Sequence, residues 1–178
     1  MFEKLLKVTA ESRNRDDFKV IDGSHIKVHQ DACHDSSQYE EQGFGKTKGG
    51  RNTKVNAVTN GAGRLLDLVL IPGNQGEVKT AMEALGELDG KVVLADKGYD
   101  SDELRGQIRQ AGGVANIPGR KNRKKEVFYI KEIGKKRHVV ENYFCRIKRY
   151  RRISTRYDRL PATFKSFVFL ASIMDRLR

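Results

Sequence analysis

Residues 91–96 read Lys-Val-Val-Leu-Ala-Asp, and this apolar run indicates the fold class. A continuous apolar run of this length is typical of a strand that is buried on both faces of a sheet. Asp100 and Glu103 follow it in a capping-box pattern, which predicts a helix over residues 101–111. A buried strand that leads through a short loop into a helix indicates an α/β fold, in which sites form at the carboxyl ends of strands. Asp96 occupies that position.

Four further stretches have the apolar pattern of strands. They are residues 18–22, 54–60, 65–71 and 114–117. The spacing of apolar residues also predicts helices over 77–88 and from Pro161 onward. We therefore expect an α/β fold with a mixed five-stranded sheet flanked by helices, in which Asp22 ends the first strand and Asp96 ends a later one.

Positive charge is concentrated in the last third of the 178-residue chain. The formal net charge is +12, yet residues 1–118 hold 16 Lys and Arg against 18 Asp and Glu. Residues 119–178 hold 19 Lys and Arg against 5 Asp and Glu. This asymmetry predicts that a polyanion, most simply nucleic acid, binds the C-terminal part of the chain.

The length of the chain is sufficient for one well-buried domain, which we expect to span residues 18–178. Residues 1–17 are predicted to form a short helical segment ahead of it. Within the domain, residues 120–136 read as a basic linker around a small apolar patch. Two interpretations of this linker remain open, a disordered solvated loop and a segment that contacts DNA.

The residues near the N-terminus and the cysteines exclude two classes of protein. The first residues lack the apolar core of a signal peptide, and no window approaches the roughly 18 apolar residues that a membrane span requires. Cys33 and Cys145 do not make a disulfide framework, so reduced thiols in a cytosolic protein are the simplest interpretation. We expect neither secretion nor membrane insertion.

Residues 29–53 hold few apolar side chains and many Gly, Ser, Asp, Lys and Gln. We interpret them as a long flexible loop. Its basic residues, Lys46, Lys48 and Arg51, are predicted to lie along a phosphate backbone. A nucleotide-binding P-loop is excluded, because the glycine that it requires five residues before Gly45 is absent.

Residues 137–157 are predicted to form one helix with a short extension, and Glu141 is a lone acid on it. Arg137 and Lys148 are spaced so that they project from the same face as Glu141. One interpretation is an intrahelical salt bridge between Arg137 and Glu141, worth about a few tenths of a kcal/mol. The other is a metal-binding carboxylate with cations beside it that hold a phosphate backbone.

Three acids thus stand at the main junctions of the predicted elements: Asp22, Asp96 and Glu141. If the two aspartate strands are neighbours and the helix packs across them, the three carboxylates converge and require cations to offset their repulsion. Hard oxygen ligands suit Mg²⁺ or Mn²⁺. Two such ions would activate a water or a 3′-hydroxyl and stabilise the leaving oxygen in phosphoryl transfer.

Several longer motifs occur in an order that identifies a family. They cover residues 20–29, 45–55, 94–101, 137–141 and 151–158. With these motifs the chain resembles the catalytic domain of DDE transposases of bacterial insertion sequences, in the IS5 group of the IS4-like superfamily. The resemblance implies an RNase H-like fold and a divalent-metal site made by Asp22, Asp96 and Glu141. It also implies DNA cleavage and strand transfer without a covalent protein–DNA intermediate.

The resemblance also assigns residues that bind DNA. The family's helix signature places a tyrosine, an arginine and a lysine around the glutamate, and Arg137 and Lys148 match the last two. They are therefore expected to bind DNA phosphates near the scissile end. The position of the tyrosine is taken here by Gly134, which is expected to make the helix start later. Further DNA contacts are expected from the basic residues Arg151, Arg152 and Arg156.

The partners implied by the resemblance are the DNA of the element ends and of the target, with a homo-oligomer assembled on that DNA. Relatives carry a DNA-recognition region ahead of the first aspartate strand, whereas about 20 residues precede Asp22 here. The chain is therefore expected to be either a second-reading-frame product, which frameshifting would fuse to the upstream region, or a truncated copy. Its expected location is the bacterial cytoplasm, near the nucleoid. Two alternatives stay open: an inactive DNA-binding remnant, and an RNase H-like nuclease that cuts without joining.

Overall fold

The computed structural model describes residues 17–33, residue 39 and residues 41–177. The strands are β1 (Phe18–Val28), β2 (Gly45–Thr47), β3 (Gly50–Asn60), β4 (Leu65–Pro72), β5 (Val92–Leu94), β6 (Val114–Asn116) and β7 (Thr155–Arg156). The α-helices are α1 (Ala81–Leu85), α2 (Asp102–Gln110), α3 (Lys131–Gly134), α4 (His138–Ile147), α5 (Arg151–Ser154) and α6 (Pro161–Arg176). Short 3-10 turns occur at Gln30–Ala32, Glu77–Thr80, Lys97–Tyr99 and Lys135–Arg137. The segment expected at residues 1–17 lies outside the described residues except for its last residue.

The described strands form one mixed sheet, and β1 is its central strand. On one side β1 runs antiparallel to β3, which in turn pairs with β4 and β2. On its other side β1 is parallel first to β5, over Phe18–Val20, and then to β7, over Lys27–Val28. β6 lies outside β5 and parallel to it. Between these two parallel pairings, a stretch of β1 has no described strand on this second side, and Asp22 lies in that stretch.

Helices cover both faces of the sheet. Side chains alternate along β1, so this strand contributes apolar residues to a core on each face. Val20 and Ile26 belong to the core that includes α4 and α6, where Phe144 and Phe164 are buried. Ile21 belongs to a second core, which includes α1 and α2. Asp22 lies an even number of residues from Val20 and Ile26 along the strand. Its side chain therefore points to the same face of the sheet as theirs, the face that α4 covers.

The sheet has seven strands where five were expected. The expected strands at residues 65–71, 91–96 and 114–117 correspond to β4, β5 and β6, whereas β1 extends beyond residue 22 and β3 begins at Gly50 and not at residue 54. The two additional strands, β2 and β7, are only 3 and 2 residues long. Strands this short carry no readable alternation of apolar residues, so they could not be predicted from the sequence.

The segment interpreted as a flexible loop over residues 29–53 contains a hairpin. β2 pairs antiparallel with the start of β3, from Gly45↔Asn52 to Thr47↔Gly50. The residues of this hairpin are largely polar, so their strand character depends on backbone pairing with the rest of the sheet. Arg51 and Lys46 are therefore on strands, and Lys48 lies in the turn that joins them.

Two other elements carry acids of the predicted site. Asp22 was expected at or near the end of a strand that Ile26 and Val28 could continue, and β1 does continue to Val28, with β3 paired to it as far as Lys27↔Asn52. The helix expected over residues 137–157 ends at Ile147, and α5 and β7 follow it. Tyr150 takes an extended backbone conformation there, which separates α4 from α5. No described helix combines the length and the apolar character that crossing a bilayer requires.

Candidate active site

Asp22 is a largely buried acid on the α4 face of the sheet, with 20% of its side chain exposed. Its Oδ1 accepts a hydrogen bond from the backbone N–H of Gly23 at 2.9 Å. Burial raises the pKa of Asp22 from 3.8 to about 6. The Gly23 N–H and the charge of Arg137 oppose this rise, whereas the negative charges of Asp96 and Glu77 add to it. Asp22 is thus an acid that the fold holds in an unfavourable environment for its charge.

Asp96 lies beside Asp22 because their strands are parallel neighbours. Val20 is paired with Leu94 at the end of the ladder between β1 and β5, and each aspartate comes two residues later in the chain. The Oδ1 of Asp96 accepts a hydrogen bond from the N–H of Gly98 at 2.8 Å, so the side chain caps the 3-10 turn that follows. The expectation that the two aspartate strands are neighbours is confirmed.

Glu141 lies on the first turn of α4 and is connected to Asp22 through Arg137. The Nη2 atom of Arg137 is 2.6 Å from Oε1 of Glu141, and its Nη1 atom is 3.3 Å from Oδ2 of Asp22. The intrahelical salt bridge of the first interpretation therefore forms. The same guanidinium also reaches a carboxylate 115 residues away in the chain. The guanidinium thus links Glu141 to one acid of the sheet, while among the described residues the three carboxylates are not grouped as the second interpretation requires.

Lys148 is held against β1 just beyond Asp22. Its Nζ donates to Oγ of Ser24 at 2.7 Å and to the backbone oxygen of His25 at 3.2 Å. Burial lowers the pKa of Lys148. Arg137 and Lys148 therefore place two cationic groups along the stretch of β1 between its pairings with β5 and β7. A phosphate group that approaches the acids would meet both.

The three acids have the chemistry of a divalent-cation site. Asp22, Asp96 and Glu141 offer hard carboxylate oxygens, and the neighbouring negative charges that raise the pKa of Asp22 would be offset by a bound cation. Within the described ranges, no three His, Cys, Asp or Glu side chains are already grouped closely enough to hold an ion. Glu141 is instead turned to Arg137. The donor set fits a hard divalent ion, and Arg137 occupies the position between two of the donors.

A fourth acid, Glu77, lies behind this site, and no pattern in the sequence marks it. Its Oε1 is 3.2 Å from Nζ of Lys54. Its carboxylate also packs so closely on Gly23 that a Cβ there would collide with it. The hydroxyl of Tyr99 is in the same region, where burial and then the charge of Glu77 raise its pKa. In the sequence, Glu77 reads only as an acid in the first turn of a predicted helix.

The basic residues predicted to contact DNA occupy different positions. Lys46, Lys48 and Arg51 are exposed on the hairpin of β2 and β3. Arg151 is also exposed, whereas Arg152 pairs with a neighbouring acid. The Nη2 atom of Arg152 is 2.5 Å from Asp158, and its guanidinium stacks on an aromatic ring. The exposed residues remain available to a polyanion.

Arg156 is fully buried, and this placement does not agree with a role in contacting DNA. Its guanidinium donates to the backbone oxygens of Asp158 and Arg159, each at 2.8 Å, and to Oγ1 of Thr53 at 2.7 Å. The same group lies 4.2 Å from the ring centre of Phe44. Burial lowers the pKa of Arg156 to about 10. A run of arginines in the sequence cannot reveal that one of them points into the core.

Gly134, at the position of the family's tyrosine, is covered by another tyrosine. The ring of Tyr129 packs on Gly134 so closely that a side chain at this position would collide with it. Gly134 ends α3, and α4 begins only at His138 after a 3-10 turn. The later start of the glutamate-bearing helix agrees with the expectation from the sequence.

Comparisons with known proteins agree on one family. Residues 13–174 match the family model of the transposase DDE domain. The chain is similar to the Brucella ovis protein inferred to be a transposase for insertion sequence element IS6501, with 35% identity over 128 residues. That similarity covers 71% of this chain and 98% of the Brucella ovis protein. No solved structure is significantly similar to the chain.

Proposed function

The chain belongs to the transposase DDE domain family, and we propose that it is the catalytic domain of an IS5-group insertion-sequence transposase with an RNase H-like fold. Enzymes of this family cleave DNA and transfer strands, and their DDE domains generally use divalent metal ions. The fold proposal is supported by the mixed sheet, in which β4, β3 and β1 are antiparallel and β5 and β6 continue in parallel.

The observation that carries the assignment of the site is the position of Arg137. One guanidinium contacts both Asp22 and Glu141, while Asp96 lies level with Asp22 beside the neighbouring strand. Arg137 thus connects two acids from distant parts of the chain, and the pairing of β1 with β5 brings the third close to Asp22. Because such an arrangement of carboxylates is unfavourable without cations, we propose that Asp22, Asp96 and Glu141 are the catalytic acids and the metal ligands.

Two Mg²⁺ or Mn²⁺ ions held by these acids would activate the attacking oxygen and stabilise the leaving one. The contributions of the chain itself follow from its contacts. Arg137 neutralises Asp22 and Glu141 in the protein alone and must give up at least one of them when the acids bind cations. Lys148, which is held at Ser24, would then fix a DNA phosphate near the acids.

The proposed reaction has two displacement steps at phosphorus. In the first, water attacks a phosphodiester at an element end, the bond to the 3′-oxygen breaks, and that oxygen takes up a proton. In the second, this 3′-hydroxyl attacks a phosphodiester of the target DNA, forms a new bond to phosphorus and displaces the target's own 3′-oxygen. Neither step requires a covalent protein–DNA intermediate. By resemblance, a homo-oligomer on paired ends and an upstream DNA-recognition region are part of the same proposal.

An assay for joining distinguishes this proposal from its two alternatives. The substrate is a labelled duplex with a free 3′-hydroxyl end, incubated with supercoiled target DNA and Mg²⁺ or Mn²⁺. Transfer of the label into the target supports a transposase, and cutting without transfer supports a nuclease. Binding of DNA with neither activity supports an inactive remnant, provided that a fusion to an upstream DNA-recognition region is also inactive.

A further inference from the structure

A site rich in basic residues, separate from Arg137 and Lys148, lies on the opposite side of α4 from Asp22, Asp96 and Glu141. It is a cavity of about 570 Å³ between the turn after β3, the end of α4 and the end of α6. Its charged lining consists of four arginines and one acid: Arg64, Arg146, Arg149, Arg176 and Asp175. Ala62 and Tyr150 complete it. We call this the arginine cavity.

The acid of this lining, Asp175, is already engaged. Arg146 binds Asp175 through Nε, with distances of 2.9 and 3.1 Å to the two carboxylate oxygens, and its Nη2 donates to the backbone oxygen of Gly63 at 2.8 Å. These contacts tie α4 to α6 and to the turn. They account for one arginine and for the negative charge of the cavity, so the described lining keeps an excess of positive charge.

Arg64 and Arg149 contribute to this excess. Neither side chain forms an ion pair with any residue in the part of the chain that the structure describes. The charge of Arg64 acts on Arg176, whose pKa is lowered by burial and then by this neighbouring cation. The charge of Asp175 opposes this shift, and the lining still holds more guanidinium groups than carboxylates.

The cations of the lining are guanidinium groups. Guanidinium groups bind phosphate oxygens through paired N–H donors, so a phosphate suits this lining better than an isolated carboxylate.

The position of the cavity separates it from the proposed catalytic site. Arg146 lies about 140° around α4 from Glu141, because each helical residue advances by about 100°. A DNA segment bound at Arg137 and Lys148 therefore lies on one flank of α4, and the arginine cavity opens on the other. None of the basic residues predicted from the sequence to contact DNA lines the cavity.

We propose that the arginine cavity binds the phosphate backbone of DNA, as a contact separate from the DNA that lies at the acids. This inference rests on the proposed function, because it assumes that the polyanion is DNA. It extends that function by assigning two new phosphate-binding residues, Arg64 and Arg149. Both belong to a surface that the turn after β3, α4 and α6 build together.

The test compares the salt dependence of DNA binding in the full chain. Binding of a labelled duplex is measured by fluorescence anisotropy at increasing salt, without divalent metal so that no cleavage occurs. The variant Arg64→Ala/Arg149→Ala removes two guanidinium groups, and we expect the slope of log K against log salt to become shallower by about 1.8. The single variant Arg149→Glu, at an exposed position, is expected to weaken binding more than about tenfold.

The matched control is Arg109→Ala, which removes an exposed arginine of α2 on the other face of the sheet. We expect the slope of this variant to equal that of the wild type. An unchanged slope in the double variant, or an equal loss in the control, overturns the proposal. Thermal unfolding shows whether a variant has a fold defect. If the double variant has one, the DNA affinity of Arg149→Glu decides the question, because its exposed side chain is not needed for packing.

The experiments distinguish a failure of the proposed function from a failure of the arginine-cavity proposal. If the wild type joins DNA ends but the double variant keeps the full salt slope, the arginine cavity is not a DNA site and the proposed function stands. If the double variant loses about two phosphate contacts but the wild type neither cuts nor joins DNA, the cavity is a DNA site on a protein with another function.

Discussion

Replacement of Asp22 by asparagine is expected to stabilise the protein and to abolish its cleavage activity. The amide keeps an oxygen that can accept the 2.9 Å hydrogen bond from the N–H of Gly23. It removes a buried negative charge that lies close to Asp96 and Glu77. Arg137 loses one of its two partners but keeps Glu141. Catalytic acids are often held at the expense of stability, and Asp22 has the environment of such a residue.

The size and the pH dependence of this effect follow from the pKa of Asp22. The folded protein binds the proton more tightly than the unfolded chain, since the pKa is about 6 in the fold and the ordinary value for an aspartate is 3.8. Raising the pH from about 4 to about 6 therefore lowers the free energy of unfolding of the wild type. The difference between the two pKa values corresponds to about 3 kcal/mol. Below pH 3.8 the carboxyl group is neutral in both states, and this penalty disappears.

The assay is urea unfolding, followed by circular dichroism, across the range from about pH 4 to about pH 8 without divalent metal. We expect the stability of Asp22→Asn relative to the wild type to increase with pH by up to about 3 kcal/mol and to level off above about pH 6. The control Glu83→Gln removes an exposed acid of α1 and is expected to follow the wild type at every pH. A constant difference between Asp22→Asn and the wild type across this range would refute the assignment of a strained acid.

Three further substitutions test the roles of individual residues, and the last of them has a matched control. Lys148→Ala should weaken DNA binding and make the salt slope shallower by about 0.9, and an unchanged slope would show that this side chain faces away from DNA. Arg156→Leu removes the donors of three acceptors, among them the buried Thr53 hydroxyl, and should lower the free energy of unfolding by about 3 kcal/mol, as urea unfolding will measure. Gly63→Ala should cost about 1 to 2 kcal/mol in the same assay, because its φ is +72° and a Cβ would lie 3.0 Å from the backbone oxygen of Val139. Gly106→Ala, which adds a Cβ in open space on α2, should instead stabilise the protein, and equal effects of the two changes would contradict this account.

The elements that could be predicted from the sequence are those with a strong apolar signal. The run at residues 91–96 forms β5, and the helix after it was placed within one residue at each end. Its cap was not predicted correctly, since the Oγ of Ser101 accepts the hydrogen bond from the N–H of Leu104. Asp100, expected to be part of the cap, instead binds Arg105 and Arg123. Local pattern located the helix, whereas tertiary contacts determined which residue caps it.

Polar residues with a structural role could not be recognised in the same way. β3 buries Asn52, Thr53 and Asn56, so its first half has no apolar alternation to read. Arg156 is surrounded by other arginines in the sequence, yet it is the one whose donors are satisfied inside the core. Glu77 comes close to Gly23 only through the packing of a 3-10 turn on the sheet. Each of these roles depends on a partner that is distant in the chain.

In the proposed site, one contact could be predicted from the sequence and another could not. Asp22 and Asp96 could be expected to meet, because parallel strands bring their carboxyl ends to the same edge of a sheet. The bridge made by Arg137 between Asp22 and Glu141 could not be inferred from helical spacing, which gives only the pair at the start of α4. The structure shows the salt bridge of the first interpretation and adds a link to Asp22, while the metal-binding role of Glu141 stays a prediction.

The most direct test of the central claim is the cleavage of an element-end duplex in Mg²⁺ or Mn²⁺ by the wild type and by Asp96→Asn. DNA affinity is measured in parallel. We expect the variant to lose metal-dependent cleavage while it binds DNA within a few fold of the wild type, and the control Glu103→Gln, at an exposed acid of α2, to keep both properties. Cleavage by Asp96→Asn at the wild-type rate would contradict the assignment of Asp22, Asp96 and Glu141 as the catalytic acids.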